Sequence, residues 1–236
     1  IIPRGAGTGE TGGCVALKGG IVLDLSTWDE IEEIDAKNMQ VILRPGVIHA
    51  NLNKELAKYN LFFPPDPGSS QMCTVGGMVA NNASGLRAVK YGCTEQYILG
   101  LEVVLPDGEV LDVLRPLRKD NTGYDLKQLF IGSEGTLGII TAATLRLVAR
   151  PNERVTLWLA VNTPEDAIAL FKSFREAFGE LISAFELLGS EGVEIAVEGF
   201  SGVRRPVASP SPWHVLIDVA WTFADGLRPR VETVLE

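Results

Sequence analysis

Three glycine-rich stretches are the parts of this sequence best suited to chemistry, and the groups they offer belong to the backbone. They read PRGAGTG over residues 3–9, TVGGMVANNASG over residues 74–85 and GSEGTLG over residues 132–138. Loops of this kind expose backbone N–H groups, which bind anions such as phosphate. The sequence therefore predicts an anion site made from main-chain atoms, with Arg4 beside the first loop.

The stretch over residues 74–85 is typical of a short helix. Thr74 is a residue type that caps a helix N-terminus, and Gly85 is a type that ends a helix in the left-handed conformation. Two glycines in a first turn cost about 1 kcal/mol each relative to alanine, which is understandable if a phosphate must approach there. A tight contact between helices explains such a pair about as often. We expect valine at Gly76 or Gly77 to fill the phosphate space and to leave much of the fold intact.

The first loop fits neither of two common nucleotide-binding motifs. A Rossmann fingerprint needs a helix directly after its glycines, but turn residues and then Gly19 and Gly20 follow here. A P-loop ends in Gly-Lys-Ser/Thr, which this loop lacks. Two interpretations remain, a nest of N–H groups that binds an anion and a plain glycine-rich turn.

Composition and charge narrow the class of protein. The chain has 236 residues, of which 46% are hydrophobic and 22% charged, as in a soluble globular enzyme. A net charge of −9 argues against a nucleic-acid binder, and no apolar run approaches the roughly 18 residues of a membrane span. Three cysteines far apart in the sequence match no metal or disulfide pattern, so a reducing compartment is expected. The chain begins inside a motif without an initiator methionine, which indicates a truncated N-terminus.

The remaining patterns predict a mixture of strands and helices. In the first part they predict strands at 21–25, 31–35, 41–44, 98–105, 109–113 and 139–148, and a helix over 48–59 closed by Asn60. The run Pro64–Gly68 predicts a rigid crossing segment. In the second part they predict strands at 155–161, 182–188 and 215–219, helices over 163–178 and 190–197, a mobile loop over 199–212 and a helix starting near Asp225. Thr163, Pro164 and Asp166 form a capping-box signature for the first of these helices.

Together the three motifs, with PDPGSSQMC preceding the second and IIT following the third, resemble the flavin-binding domain of the p-cresol methylhydroxylase / vanillyl-alcohol oxidase superfamily. The chain is most similar to the branch of D-lactate dehydrogenase, glycolate oxidase flavoprotein subunit and D-2-hydroxyglutarate dehydrogenase. The resemblance covers residues 1–150 closely, whereas ISAFELL at 182–188 resembles the start of that family's cap domain less closely. It implies an α+β fold, with an FAD-binding domain over 1–150 made of subdomains 1–62 and 63–150. Residues 151–236 would be part of a ferredoxin-like α/β cap.

The resemblance also implies which residues hold FAD. The pyrophosphate would meet main-chain N–H groups of Arg4, Gly5, Ala6, Gly7, Thr8 and Gly9. The approach to the flavin ring would be lined by Pro65, Pro67 and Gly68. The diphosphate and ribityl region would meet Thr74, Val75, Gly76 and Gly77, with Asn81, Ala83, Ser84 and Gly85 close by. The adenosine half would be held by Gly132, Glu134, Gly135, Gly138, Ile139 and Ile140.

This chain lacks several residues of the family pattern, so the resemblance does not assign every functional residue. Many members tether flavin through a histidine in the first loop, where this chain has Ala6 and Thr8, so we expect FAD to bind non-covalently. Cys73 and Cys93 are alternative tethers, but buried free thiols are the favoured interpretation. The family's late histidine cluster and cap arginine are not identifiable. His214 is expected to pack or to face solvent, and His49 opens a predicted helix of the first subdomain. Catalytic residues therefore stay unknown, no metal ligand is assigned, and a divalent metal would need ligands outside this chain.

The implied function is an FAD-dependent dehydrogenase that oxidises a small D-2-hydroxy acid such as D-lactate, glycolate or D-2-hydroxyglutarate by hydride transfer to flavin N5. Electrons would pass to an external acceptor, which is a quinone, a cytochrome or an electron-transfer flavoprotein. Two alternatives stay open, an alkyl transferase of the alkylglycerone-phosphate synthase type and a non-catalytic flavin-binding subunit. We expect no nucleic-acid partner, a homodimer or a place in a complex, and a cytoplasmic location. The inner-membrane surface and, in a eukaryote, the mitochondrion are the alternative locations.

Overall fold

The computed structural model describes residues 1–115, 117–208, 211–223 and 226–235, and they form both helices and strands. The mixed α+β character predicted from the sequence is therefore confirmed. The strands are β1 (Ile2–Arg4), β2 (Val22–Asp24), β3 (Ile31–Asp35), β4 (Gln40–Leu43), β5 (Leu61–Phe62), β6 (Ile98–Val104), β7 (Val110–Val113), β8 (Ile139–Arg146), β9 (Val148–Ala149), β10 (Glu153–Val161), β11 (Ile182–Gly189) and β12 (Trp213–Trp221). The helices are α1 (His49–Leu56), α2 (Val75–Ala80), α3 (Ala88–Tyr91), α4 (Lys127–Phe130), α5 (Pro164–Phe178), α6 (Ser190–Gly199) and α7 (Leu227–Leu235).

Two compact units divide the chain. The first unit comprises residues 1–85 and 92–150, and the second comprises residues 86–91 and 151–236. Within the first unit, β3 and β4 share a sheet with β6, β7 and β8, so strands on both sides of residue 62 pair with one another. The domain bounds given above stay predictions.

The sheet of the first unit has the order β3-β4-β8-β6-β7, and its neighbouring strands are antiparallel. Its central strand β8 is buried at every position from Ile140 to Leu145, on both faces. Alanine and threonine occupy the middle of β8, and such small side chains let helix α2 pack closely against this strand. The hairpin of β6 and β7, predicted from its Pro-Asp-Gly turn, is confirmed.

Helix α1 confirms the helix predicted over 48–59. Its regular part ends at Leu56, a 3₁₀ turn continues to Tyr59, and Asn60 takes the left-handed conformation with φ of 57°. Leu52 and Leu56 are fully buried, as the helical spacing of the apolar residues requires. Asparagine tolerates the left-handed region, so it can end the helix where the chain turns into β5.

Helix α2 is shorter than predicted. Thr74 does cap it, because its side chain accepts a hydrogen bond from the N–H of Gly77 at 3.3 Å. The helix ends at Ala80, and the left-handed residue is Asn82, with φ of 47°, rather than Gly85. Asn82 is held there by two hydrogen bonds to Glu95, one from its own Nδ2 and one from the N–H of Glu95 to its Oδ1. Gly85 has a different role, because a Cβ at this position would overlap the backbone carbonyl of Asp66.

The single strand predicted over 139–148 is two strands. β8 ends at Arg146, the N–H of Leu147 donates to the carbonyl of Met39 at 2.8 Å, and β9 then pairs with β5. Alternating apolar residues continue through the break, which is why the sequence pattern alone did not reveal it.

The second unit is built on an antiparallel sheet of order β10-β12-β11. These strands and helices α5 and α6 confirm the corresponding predictions. Thr163 and Asp166 form the predicted capping box at α5, and the stripe of apolar residues on that helix packs into the core of the unit. Ser209 and Pro210 of the predicted loop over 199–212 lie outside the described residues. The predicted helix start at Asp225 lies outside them as well, and α7 is described from Leu227. Among the helices that the structure describes, none combines the length and apolarity needed to cross a bilayer.

We predict that Gly85→Ala destabilises the first unit by about 1–3 kcal/mol, because the new methyl group would overlap the Asp66 carbonyl. Gly68→Ala is the matched control, because a Cβ there meets nothing within 4 Å. Urea denaturation of both variants measures the effect. Equal stability of the two variants would contradict the close backbone approach.

Candidate functional site

The three glycine-rich stretches meet around one cleft of about 520 Å³ in the first unit. Eighteen of the 23 residues predicted to hold a cofactor line this cleft, namely Arg4, Gly5, Ala6, Gly7, Thr8, Gly9, Pro67, Gly68, Thr74, Gly76, Gly77, Asn81, Ala83, Ser84, Glu134, Gly135, Gly138 and Ile140. Five do not line it, namely Pro65, Val75, Gly85, Gly132 and Ile139. Pro65 and Val75 are buried in the protein, and Gly85 packs against the Asp66 backbone as described above.

The first loop packs directly against the start of α2. Strand β1 pairs in parallel with β2, and the N–H of Leu25 donates to the carbonyl of Arg4 at 2.8 Å, which fixes where the loop begins. A Cβ at Gly5 would overlap the hydroxyl of Thr74, so only glycine permits this approach. The first loop can therefore lie beside α2 only because Gly5 has no side chain.

The backbone of the first loop offers donors that the protein does not use. Among the described residues, the N–H groups of Ala6, Gly7, Thr8 and Gly9 donate no hydrogen bond. Gly7 has a φ of 72°, and the Arg4 guanidinium lies so close to it that a Cβ at Gly7 would be 2.6 Å from Nη2. N–H groups without acceptors beside an arginine can bind an anion such as a phosphate.

The N-terminus of α2 does not offer free donors, which corrects the sequence-based expectation. The N–H of Val75 donates to the Val47 carbonyl and that of Gly76 to the Pro45 carbonyl, both at 2.8 Å. The N–H of Gly77 donates to Thr74 Oγ1. With these groups paired, the anion-binding capacity of the cleft lies in the first loop.

The two glycines of α2 have different roles. A Cβ at Gly76 would overlap Pro45, so this glycine is required by packing, as the alternative interpretation of the glycine pair proposed. A Cβ at Gly77 would meet only Thr74 Oγ1, at 3.1 Å. The expectation that valine at Gly76 leaves the fold intact is therefore wrong, whereas Gly77 borders the cleft without a packed neighbour.

The third glycine-rich stretch is hydrogen-bonded to the C-terminal end of α2. The N–H of Glu134 donates to the Ala80 carbonyl at 2.8 Å, and the N–H of Gly132 donates to the Val79 carbonyl at 3.1 Å. Glu134 has a φ of 53°, a conformation that costs a non-glycine residue energy and that clusters at functional sites. Its Oε2 would lie 3.0 Å from a Cβ at Gly13, so its carboxylate reaches across to the segment that follows the first loop.

The charge of the cleft is mixed. Arg4 is the cation among its lining residues, and Glu10 and Glu134 are the acids. Hydrogen bonds from Ser26, assisted by the charge of Arg4, lower the pKa of Asp24 below its usual value. An anion in this cleft would therefore be held mainly by neutral N–H donors and one guanidinium.

Several lining residues were not identified from the sequence. They are Pro3, Glu10, Thr11, Gly13, Cys14, Leu25, Pro45, Ser69, Cys73, Met78 and Ala80. Those from Glu10 to Cys14 directly follow the first motif, so a wider window around that motif would have included them. Ser69 and Cys73 lie in the PDPGSSQMC stretch that precedes the second motif, and Cys73 is considered only as an alternative tether. Leu25 and Pro45 carry no sequence signal, because only the fold brings them to the cleft.

The cysteines are free thiols, and the two histidines are buried. The three cysteines are free; Cys73 is buried, and burial raises the pKa of its thiol. His49 is buried with Nε2 3.3 Å from the Phe63 carbonyl, and His214 is buried and accepts a hydrogen bond on Nδ1 from Trp158 Nε1 at 3.1 Å. Both histidines are packed, which for His214 is one of the two expected outcomes. Within the described ranges, no group of three or more His, Cys, Asp or Glu residues could hold a metal ion.

Comparison with protein families gives the decisive observation. Residues 1–114 match a family model described as an FAD binding domain. The match includes the first two glycine-rich motifs. The predicted resemblance to an FAD-binding family is therefore confirmed for this part of the chain.

Relatives extend the similarity beyond the matched domain. Over all of this chain, identity is 40% to a mitochondrial protein of Schizosaccharomyces pombe that carries a provisional D-lactate dehydrogenase name, and 36% to the mitochondrial D-2-hydroxyglutarate dehydrogenase of Danio rerio. Over 89% of this chain, identity is 45% to the glycolate oxidase subunit GlcD of Bacillus subtilis. The chain spans 45%, 44% and 44% of the length of these three proteins, respectively.

Two solved structures of alkyldihydroxyacetonephosphate synthase share the fold. Each has a TM-score of 0.78 and aligns with 99% of this chain, and the chain covers 44% and 46% of them. Their identities of 22% and 24% make this a likeness of fold alone. The predicted α+β fold class is confirmed by this likeness of fold.

We predict effects of different size for the two glycines of α2. Gly76→Ala should lower the free energy of unfolding by about 1–3 kcal/mol, because the methyl group would overlap Pro45. Gly77→Ala should change it by less than about 1 kcal/mol, because alanine is the better helix former and its methyl group has room. Urea denaturation of both variants distinguishes them. A loss as large at Gly77 as at Gly76 would contradict the packing described here.

Proposed function

We propose that the cleft of the first unit binds FAD non-covalently. Its volume of about 520 Å³ lies within the range of roughly 300–1,000 Å³ that is usual for ligand pockets. The observation that carries the proposal is the run of N–H groups from Ala6 to Gly9, without acceptors among the described residues and beside Arg4, within the part of the chain that matches the FAD-binding family.

The proposed roles follow the chemistry of each segment. Ala6–Gly9 and Arg4 would hold the diphosphate through N–H groups and the guanidinium. Pro67 and Gly68 would face the flat flavin ring, and Gly77 would let the ribityl chain approach α2. Glu134, whose carboxylate accepts hydrogen bonds, would face the hydroxyl groups of the adenosine half.

Two features of the cleft support binding without a covalent tether. Alanine and threonine, not histidine, occupy positions 6 and 8 of the first loop. Burial raises the pKa of Cys73, so this thiol is mostly protonated at neutral pH and is a weak nucleophile.

We further propose that the protein containing this chain oxidises a small D-2-hydroxy acid, such as D-lactate, glycolate or D-2-hydroxyglutarate. The names of the relatives support this substrate class. When bound, FAD supplies the acceptor for the hydride that leaves C2 of such an acid. The residues of this chain would bind and orient the cofactor, and the base that takes the hydroxyl proton is not assigned to any of them.

The alternative functions are less well supported. Alkyldihydroxyacetone phosphate and alkylglycerone phosphate are one compound, so the solved structures belong to the enzyme of the transferase alternative, but their likeness concerns fold alone. The relatives named for hydroxy-acid oxidation are more similar in sequence, at 36–45% identity. The assay described below can also show that the protein is a non-catalytic flavin-binding subunit.

The finer properties are proposals of the same kind. We propose an external acceptor of the quinone, cytochrome or electron-transfer flavoprotein class, and a homodimer or a larger complex as the assembly. A metal, if the reaction needs one, would take its ligands from outside these residues. For the compartment we propose the mitochondrion in a eukaryote, which the names of two relatives support, and the cytoplasm otherwise.

We predict that the full-length protein is purified with FAD and that a D-2-hydroxy acid bleaches its flavin absorption in the absence of oxygen. D-lactate, glycolate and D-2-hydroxyglutarate are the substrates to compare, with L-lactate as the stereochemical control. A flavin that no hydroxy acid reduces would exclude the substrate class and favour one of the alternative functions. A protein that binds no FAD would exclude the cofactor itself.

We predict that Arg4→Gln weakens FAD binding roughly ten- to hundredfold, because a charge-assisted hydrogen bond to phosphate contributes about 1.5–3 kcal/mol. Arg204→Gln, an exposed arginine of the second unit, makes the same change of charge away from the cleft and should bind FAD as the wild type does. Fluorescence titration of apoprotein with FAD measures both affinities. Equal affinities of the two variants would contradict the role of Arg4.

A further inference from the structure

A second, smaller cavity in the first unit is lined mainly by polar side chains. Its volume is about 140 Å³, and its lining includes Arg118, Lys127, Arg146 and Gln96. Among the described residues that line it, none is acidic. Three cations around so small a space repel one another unless an anion lies between them.

This cavity shares no lining residue with the cleft proposed to bind FAD. Ile140 of the cleft and Arg146 of the cavity lie towards opposite ends of the same strand, β8. Six residues of extended chain separate them by about 20 Å. A ligand of the second cavity would therefore be a different molecule from the cofactor, and the inference below does not depend on the proposed function.

Arg146 supplies a donor that lacks an acceptor. Its Nε is buried and has no hydrogen-bond partner among the described residues. Its guanidinium carbon lies 4.8 Å from the centroid of the Tyr97 ring, and Tyr97 is itself buried. The ring holds the guanidinium group in place beside the cavity that Arg146 lines.

The two other cations differ in their partners. Lys127 Nζ lies 2.6 Å from both carboxylate oxygens of Asp125, and its side chain is 17% exposed. Arg118 is exposed, and no ion pair or hydrogen bond joins it to another residue of the described ranges. One carboxylate thus faces three cations, which leaves two positive charges to be balanced.

We propose that this cavity binds a small oxyanion of the phosphate or carboxylate class. Its volume of about 140 Å³ is well below that of pockets for drug-sized ligands, which favours a small anion over a nucleotide. Guanidinium groups bind such oxyanions through paired N–H donors, and Arg118 and Arg146 present two of these groups to one space.

The test is calorimetric titration of the full-length protein with sodium phosphate and, separately, with sodium succinate, against sodium chloride at equal ionic strength. Arg118→Gln should weaken binding about tenfold or more, because it removes a charge-assisted donor. Arg118 is exposed, so this variant should fold, whereas Arg146 packs on Tyr97 and is less suitable. Lys119→Gln is the matched control, because Lys119 is an exposed cation next in sequence that does not line the cavity.

Each outcome decides the proposal. Heat from phosphate alone identifies a phosphate site, and heat from succinate alone identifies a carboxylate site; either result supports an oxyanion site if Arg118→Gln weakens it and Lys119→Gln does not. No heat beyond the chloride reference from either anion overturns the proposal. Equal weakening by the two substitutions also overturns it, because general charge attraction would then explain the binding.

Discussion

The contact between the backbone of Gly5 and the hydroxyl of Thr74 is the constraint on which the cleft depends. Any side chain at position 5 would overlap that hydroxyl, so the first loop reaches α2 only because glycine stands there. The same principle acts on the other side of the cleft, where a Cβ at Gly135 would overlap the Pro3 ring. The glycines therefore first allow three distant segments to lie side by side, and the exposure of backbone donors follows from that arrangement.

The first loop and helix α2 differ in the hydrogen-bond donors that they offer to the cleft. Helix α2 uses its first N–H groups to bind Val47, Pro45 and its own cap, so it forms a wall of the cleft without offering donors. The first loop keeps its N–H groups free of protein acceptors and adds one guanidinium. Neutral donors and a single cation suit a diphosphate, because they compensate its charge without the strong field that a cluster of lysines would create.

Local sequence patterns predicted much of the fold. Contacts between residues that are distant in the sequence could not be predicted from such patterns. The capping box of Thr163 and Asp166 and the left-handed Asn60 follow from residues within one turn, and both are confirmed. The partner of Gly76 is Pro45 and that of Gly85 is Asp66, and no pattern in the sequence indicates either pair. Most residues that line the cleft lie in the motifs that resemble the family, whereas Leu25 and Pro45 reach it only through tertiary packing.

Amide hydrogen exchange with and without saturating FAD, resolved to the residues of the first loop and of α2, tests the central claim most directly. If the first loop supplies the donors, exchange at Ala6–Gly9 should slow markedly when FAD is added. The amides of Val75 and Gly76, already bonded to carbonyls, should change little. Unchanged exchange at Ala6–Gly9 together with new protection at Val75 and Gly76 would contradict the account.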